Sequence, residues 1–309
     1  MADASVDPPV DGLGPAAPRE IVLDLPACAA PLVLGRRPLV MGVVNLTPDS
    51  FSDGGLYFPS VVRAVEHALR LVDEGADLLD LGAESTRPGG GVYGAGSVEV
   101  SADDEARRLL PVLEALRARL PSTALSVDTR KGEVARRALD VGADLVNDVG
   151  CLADPALRRA VAEAGCPVVA MHARGELRTM QSTIAFDDVV AEVESELLAA
   201  AARGVADGID RRRIVLDPGI GFGKTAEQNL ALMHHAGTLR RHGHGVLVGA
   251  SRKSFIAAVA GEAPPDQRLG GSLAVAAWCA RIGVDIVRVH DVAATVQLLR
   301  VWNAIDSAS

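Results

Sequence analysis

"VGADLVNDVG", residues 141–150, has two counterparts in the chain, "EGADLLDLG" at 74–82 and "IGVDIVRVHD" at 282–291. In each, an amphipathic helical stretch stops at a Gly, the residue that helix ends favour because it accepts a left-handed backbone. Two residues later an Asp precedes a short aliphatic run that ends in polar side chains. This is the grammar of a helix handing over to a buried parallel strand. Working outward, "LVMGVVN", "ALSVDT", "PVVAMH", "RIVLDPG" and "GVLVGASRK" read as further strands without the Gly-x-Asp lead. Helical patterns fall between them at 60–73, 102–119, 131–140, 155–164, 187–206, 225–240 and 266–281. The result is eight β/α units, with strands near 39–44, 77–81, 124–128, 145–148, 168–171, 214–217, 246–250 and 286–290. Such alternation makes a parallel sheet with helices outside it. Eight units in roughly 250 residues suit a closed (β/α)8 TIM barrel. An open doubly wound sheet shows the same alternation, so closure is an expectation. The barrel is expected as a single domain over 38–305, after a lead-in at 21–37 and a flexible Pro-, Ala- and Gly-rich tail at 1–20.

Composition narrows the function classes. The chain is 49% hydrophobic but only 3% aromatic, so small aliphatic side chains must fill the core. A formal charge of −9 argues against a generic nucleic-acid or anionic-membrane surface, yet leaves room for a small anion in a local basic pocket. No apolar run approaches the ~20 residues of a membrane span. The acidic, Pro-rich start is unlike a secretory signal. Cys28, Cys151, Cys166 and Cys279 lack CxxC spacing and read as buried free thiols. A cytoplasmic protein is expected.

Polar groups terminate every strand: Asn45; Glu84, Thr86 and Arg87; Asp128; Asn147 and Asp148; His172; Asp217; Ser251, Arg252 and Lys253; Arg288 and His290. Singly, each is explained by a helix cap or a loop hydrogen bond, and Asp148 is assigned that role. Together, in a barrel, strand ends converge on one mouth where active sites form. Arg87, Lys224, Arg252, Lys253, Arg288 and His290 form a local positive set suited to a phosphate or diphosphate. Asp128, Asn147 and Asp217 are acceptors near the axis. Buried carboxylates are costly unless hydrogen-bonded, so a flat ring with several N–H donors on one edge suits them.

Two phosphate-loop look-alikes fail. "DPGIGFGKT" lacks the first Gly of a P-loop, because Pro218 stands there, and Lys224 occupies the third Gly position of GxGxxG. Its glycines fit a tight turn that brings backbone to a flat ligand, with Phe222 as a stacking surface. His234, His235, His242 and His244 read as a solvated surface, and His67 as a residue on a helix outside the barrel. His290 differs, because it ends the last strand beside Arg288.

These residues resemble the dihydropteroate synthases, pterin-binding folate-pathway enzymes, over about 38–305. The resemblance rests on "MGVVNLTPDSFSDGG", "GAESTRPGG", "SVDT", "VNDV", "LDPGIGFGK", "GASRKSFI" and "RVHDV", in family order. It implies a condensation of 6-hydroxymethyl-7,8-dihydropterin diphosphate with 4-aminobenzoate. It implies that Asn45 ligates Mg2+ on the diphosphate, and that Thr86, Arg87, Arg288 and His290 address that group. The pterin falls to Asp128, Asn147, Asp217 and Lys253, with Val149, Met171, Gly221 and Phe222 nearby. Phe51, Pro88 and Ser254 form the 4-aminobenzoate pocket, Ser254 at a helix start where N–H groups suit a carboxylate. Asp128, Lys253, Arg288 and His290 are the implied catalytic set. The family also implies a homodimer formed through late helices, for which 266–281 is apolar enough. Leu177, where Pro is usual, and a long Gly-rich second lid depart from the pattern. The rivals are a corrinoid-linked pterin methyltransferase domain and a non-catalytic pterin-binding paralogue.

Overall fold

Ten strands and nine helices succeed one another among the residues described by the computed structural model, 20–46, 57–84, 100–175, 180 and 184–308. The first two strands, β1 (Ile21–Leu23) and β2 (Leu32–Leu34), make a small antiparallel hairpin. The other eight are parallel: β3 (Leu39–Asn45), β4 (Leu78–Gly82), β5 (Ala124–Asp128), β6 (Leu145–Asp148), β7 (Val168–Met171), β8 (Ile214–Asp217), β9 (Gly245–Val248) and β10 (Ile286–Val289). β10 pairs with both β9 and β3, placing Ile286 beside Leu39 and Val289 beside Gly42, so the sheet closes on itself. That closure excludes the open sheet.

The helices α1 (Tyr57–Asp73), α2 (Ala102–Arg119), α3 (Gly132–Asp140), α4 (Pro155–Ala164), α5 (Val189–Ala206), α6 (Ala226–His235), α7 (Ser254–Ala260), α8 (Leu269–Ile282) and α9 (Val292–Asp306) ring the barrel. Most of the patterned stretches match to within a few residues. The 225–240 stretch does not continue as one α-helix: α6 stops at His235 and a 3-10 helix follows over Ala236–His242. Within that 3-10 helix the backbone packs closely at Gly237, where a Cβ would lie 2.0 Å from the Ile282 carbonyl oxygen. The lead-in proves to be the hairpin, whose Leu23, Leu32 and Leu34 join the apolar cluster at the bottom of the barrel. Each buried leucine there stabilises by about 1.5–3 kcal/mol.

The repeated Gly-x-Asp leads act as register clips. Asp77 donates its N–H to the Val40 carbonyl (2.9 Å) and accepts the Val40 N–H on Oδ2 (2.8 Å). Asp144 treats Leu125 in the same way (2.7 and 2.8 Å), and Asp285 treats Val246 (3.0 and 2.9 Å). Arg37, Arg117 and Arg240 pair with the three carboxylates. These aspartates therefore set strand register at the end of the barrel opposite to the strand termini.

Inward side chains recur every second residue along a strand. Leu78, Leu145, Val215 and Ile286, all in the bottom cluster, set the phase on alternate strands. Two residues further on, the same phase gives Asp80, Asn147, Asp217 and Arg288. A layer of four from alternate strands is how such barrels fill. Here the filling changes from aliphatic to polar within one layer. No helix among the described residues is long and apolar enough to cross a membrane.

Candidate active site

The polar layer is hydrogen-bonded as a unit. Asp80, fully buried, accepts from Ser126 Oγ (2.6 Å), Asn147 Nδ2 (3.0 Å) and Arg288 Nε (2.6 Å). Arg288 also donates through Nη2 to Asp128 Oδ2 (3.0 Å). The remaining oxygens, Asp128 Oδ1 and Asn147 Oδ1, are buried without a hydrogen-bond partner. Such groups cost about 1–3 kcal/mol each when left unpaired, so the site is built for a ligand that donates to them. Burial pushes the Asp128 carboxyl up to about 7 against the pull of Arg288, and the nearby Asp80 charge adds to the rise. Burial also raises Asp217, opposed by Lys253. Lys253 is lowered to about 8 by burial, with Asp217 opposing.

An apolar wall faces these acceptors. Val149, Met171, Met180 and Phe222 form a small cluster of their own. Lys253 Nζ donates to the Ile220 carbonyl and lies 4.5 Å from the Phe222 ring centroid. The loop carrying Phe222 passes so close to the end of β7 that a Cβ at Gly219 (φ +66°) would sit 1.8 Å from the His172 carbonyl oxygen. Asp217 Oδ1 fixes the turn by accepting the Gly219 N–H (2.8 Å). Gly221 N–H donates to Asn229 Oδ1 (2.7 Å).

At the rim, a cavity of about 450 Å³ is lined by Asn45, His67, Arg63, Arg70, Arg252 and His290, with Val43 and Glu66. His290 shares a hydrogen bond between Nδ1 and Ser251 Oγ (3.1 Å). Burial and the charges of Arg288 and Arg252 lower its pKa to about 4, so it is neutral at pH 7. Ser254 is the first residue of α7. A second cavity, about 370 Å³, lies by the hairpin at the opposite end, where Arg36 and Arg37 are paired with Glu20 and Asp77.

Against known proteins, the pterin binding enzyme family model matches residues 41–290. The dihydropteroate synthase of Escherichia coli (strain K12) is 43% identical over 271 residues, 88% of this chain and 93% of that protein. The dihydropteroate synthase of Xanthomonas albilineans, solved with 4-aminobenzoic acid, is 46% identical with a TM-score of 0.84, covering 94% of this chain and 99% of that one. The chain belongs to the dihydropteroate synthase family. The same Xanthomonas enzyme, solved in complex with 7,8-dihydropteroate, matches with a TM-score of 0.79 at 42% identity over 93% of this chain and 99% of that one.

Within this dihydropteroate synthase fold, Asp128, Asn147 and Arg288 are joined directly or through Asp80 by hydrogen bonds, Asp217 and Lys253 lie within electrostatic reach of them, and Val149, Met171 and Phe222 cluster together. Asn45 and His290 stand together at the rim. Phe51, Thr86, Arg87, Pro88 and Leu177 lie outside the described residues, as do the tail up to residue 19 and the long second lid.

Several strand-end groups have other work. Lys224, read from the sequence as part of the anion grip, is instead a loop fastener. Its buried Nζ donates to the Gly219 (3.0 Å) and Phe222 (2.9 Å) carbonyls and contacts His172 Nδ1 (3.0 Å), and burial lowers its pKa to about 7. His172 is held on its other side by Glu196 (3.0 Å). Arg252 lines the rim cavity but carries its charge against Asp291. Glu84 accepts from the Val100 N–H (2.9 Å) and Lys131 Nζ (2.8 Å). Asp148 closes a turn by accepting the Gly150 and Leu152 N–H groups. His67 lies on α1, outside the barrel as the sequence reading has it, and lines the rim cavity. Cys166 and Cys279 are buried, whereas Cys28 and Cys151 are partly exposed, and all four are free thiols.

Sequence reading missed Asp80. The signal was present in the repeats: Asp80, Asn147 and Arg288 each stand three residues after the Gly-x-Asp aspartate. One position in one repeated unit thus supplies three members of one layer.

Proposed function

We propose that this chain condenses 6-hydroxymethyl-7,8-dihydropterin diphosphate with 4-aminobenzoate, giving 7,8-dihydropteroate and diphosphate. One observation carries this reading: buried acceptors on Asp128 and Asn147 lack partners and lie beneath a rim lined by cations and His290. The amino and ring N–H donors of a dihydropterin satisfy Asp128, Asn147 and Asp217, while Phe222, Met171 and Val149 pack on its faces. Donation to Asp128 and Asp217 favours their charged forms and draws their raised pKa values down.

In the proposed substitution the C–O bond to the diphosphate breaks as negative charge develops on the leaving group. His290 at the rim and Arg288 in the layer below it stabilise that charge. The positive charge left on the exocyclic carbon spreads into the ring, next to Asp128. The 4-aminobenzoate nitrogen attacks this carbon and sheds a proton, and no covalent enzyme intermediate is required. Ser254 meets the benzoate carboxylate at the start of α7, and Phe51 and Pro88 complete that pocket. Thr86 and Arg87 join the diphosphate grip.

Among the described residues no group of three or more His, Cys, Asp or Glu is placed to hold a metal. Asn45 alone, an exposed amide oxygen donor at the end of β3, fits a hard cation that takes its other ligands from diphosphate and water. Mg2+ held there would supply charge neutralisation to the diphosphate. A homodimer through the later helices and a cytoplasmic location belong to the same reading.

The test is diphosphate release with both substrates and magnesium, alongside methyl transfer from a methyl-folate to a corrinoid protein. Release dependent on 4-aminobenzoate supports the proposal. Methyl transfer without release identifies the corrinoid-linked rival, and pterin binding without either reaction identifies the non-catalytic one.

A further inference from the structure

Resting on the pterin reading above, we infer that Asp80 is a positioning residue that sets the polarity of the ligand floor by locking the Asn147 amide with its carbonyl toward the ligand. Asp80 stands in the same layer as Asn147 and Arg288, fully buried, with both carboxylate oxygens taken by protein donors. Its Oδ2 accepts from both Asn147 Nδ2 (3.0 Å) and Arg288 Nε (2.6 Å), and its Oδ1 accepts from Ser126 Oγ (2.6 Å). A carboxylate facing three donors can only accept, so the planar Asn147 amide must turn its NH2 toward Asp80. The amide oxygen is then left on the other side, buried and unpartnered.

The consequence is a specificity rule. At Asn147 the floor takes a ring N–H or amino donor and rejects a ring atom that presents a lone pair. If the lock is removed, the amide rotates freely and offers NH2 as readily as C=O. A donor then meets a donor in a buried place. Asparagine at position 80 can keep the lock, with its Oδ1 on Asn147 and Arg288 and its Nδ2 on the Ser126 hydroxyl. What matters is an acceptor at Oδ2, not the charge.

The experiment titrates 6-hydroxymethyl-7,8-dihydropterin, the proposed substrate without its diphosphate, into the folded protein and its variants by calorimetry. Wild type and Asp80→Asn should bind within about 3-fold of each other. Asp80→Ala should bind about 10- to 100-fold more weakly, the range set by a mispaired buried polar group. Asp80→Ala combined with Asn147→Asp should recover most of that loss, because a carboxylate at 147 presents an acceptor in either orientation. In steady state, Asp80→Ala should raise KM for the pterin diphosphate and leave KM for 4-aminobenzoate unchanged. If the Ala variant does not fold, Asp80→Ser takes its place with the same expectation. Equal weakening by Asn and Ala overturns the inference in favour of a charge role, and wild-type affinity in Asp80→Ala overturns it outright. Failure of the wild type to bind the pterin instead overturns the parent reading.

Discussion

Replacing Arg288 with Met keeps a long side chain in the barrel but removes the guanidinium that Asp80 and Asp128 share, at 2.6 and 3.0 Å. Both carboxylates are buried, and removing one partner of a buried pair costs about 3–5 kcal/mol. In a chain of this size each kcal/mol moves Tm by about 1.5 °C, so a fall of roughly 4–8 °C is expected. The pH dependence has a definite sign. The Asp128 carboxyl titrates near 7 in the fold against its ordinary 3.8, so the fold carries its charging cost above about pH 7. That cost is relieved as pH falls from 7 toward 3.8. Without Arg288 the carboxyl rises further and its charging cost grows. The gap between wild type and Arg288→Met should therefore be widest near pH 8 and narrow by pH 5, as read from urea midpoints. A loss below about 1 kcal/mol at pH 8, or a gap that widens on acidification, refutes the reasoning.

Asp144→Asn should cost about 2–4 kcal/mol in urea melts, because the fully buried Asp144 carboxylate serves Leu125, Ala27 and Arg117 together. The more exposed Asp77→Asn should cost only about 1–2 kcal/mol, and both should keep full activity per folded molecule. Gly219→Ala places a methyl against the His172 carbonyl in a left-handed backbone, so pterin affinity should fall by more than about 10-fold in calorimetry. Inorganic diphosphate bound at the rim should raise the His290 pKa from about 4, with proton uptake near pH 6 and affinity falling as pH rises through the new value. Calorimetry in two buffers of different ionisation enthalpy reads that uptake, and its absence removes His290 from the anion site.

The barrel was legible because its determinants are local and periodic. Gly caps, Gly-x-Asp leads and period-two strands each leave a mark within about ten residues. The hairpin at 21–34 was missed because three-residue strands carry too little alternation to register, although Leu23, Leu32 and Leu34 seal the barrel. Asp128, Asn147, Asp217, Lys253 and Arg288 stood out in the sequence because each lies at, or within a few residues of, the polar end of a strand. Asp80 was hidden because it sits in the middle of its strand, two residues before the end, inside "LLDLG", where a polar residue reads as an interruption. Lys224 was misassigned for the converse reason. A lysine beside a glycine-rich turn looks like an anion ligand until its ammonium is found serving two backbone carbonyls of the same turn. Sequence gives the strand a residue belongs to more readily than the direction in which a long side chain spends its hydrogen bonds.

The most direct measurement is a crystal structure of this protein with the pterin diphosphate and 4-aminobenzoate bound. The account predicts the bicycle's N–H edge on Asp128, Asn147 and Asp217, its face against Phe222, and the diphosphate beside Asn45 and His290. A ring seated outside the barrel mouth, or one that turns lone pairs toward Asn147 Oδ1, would contradict it.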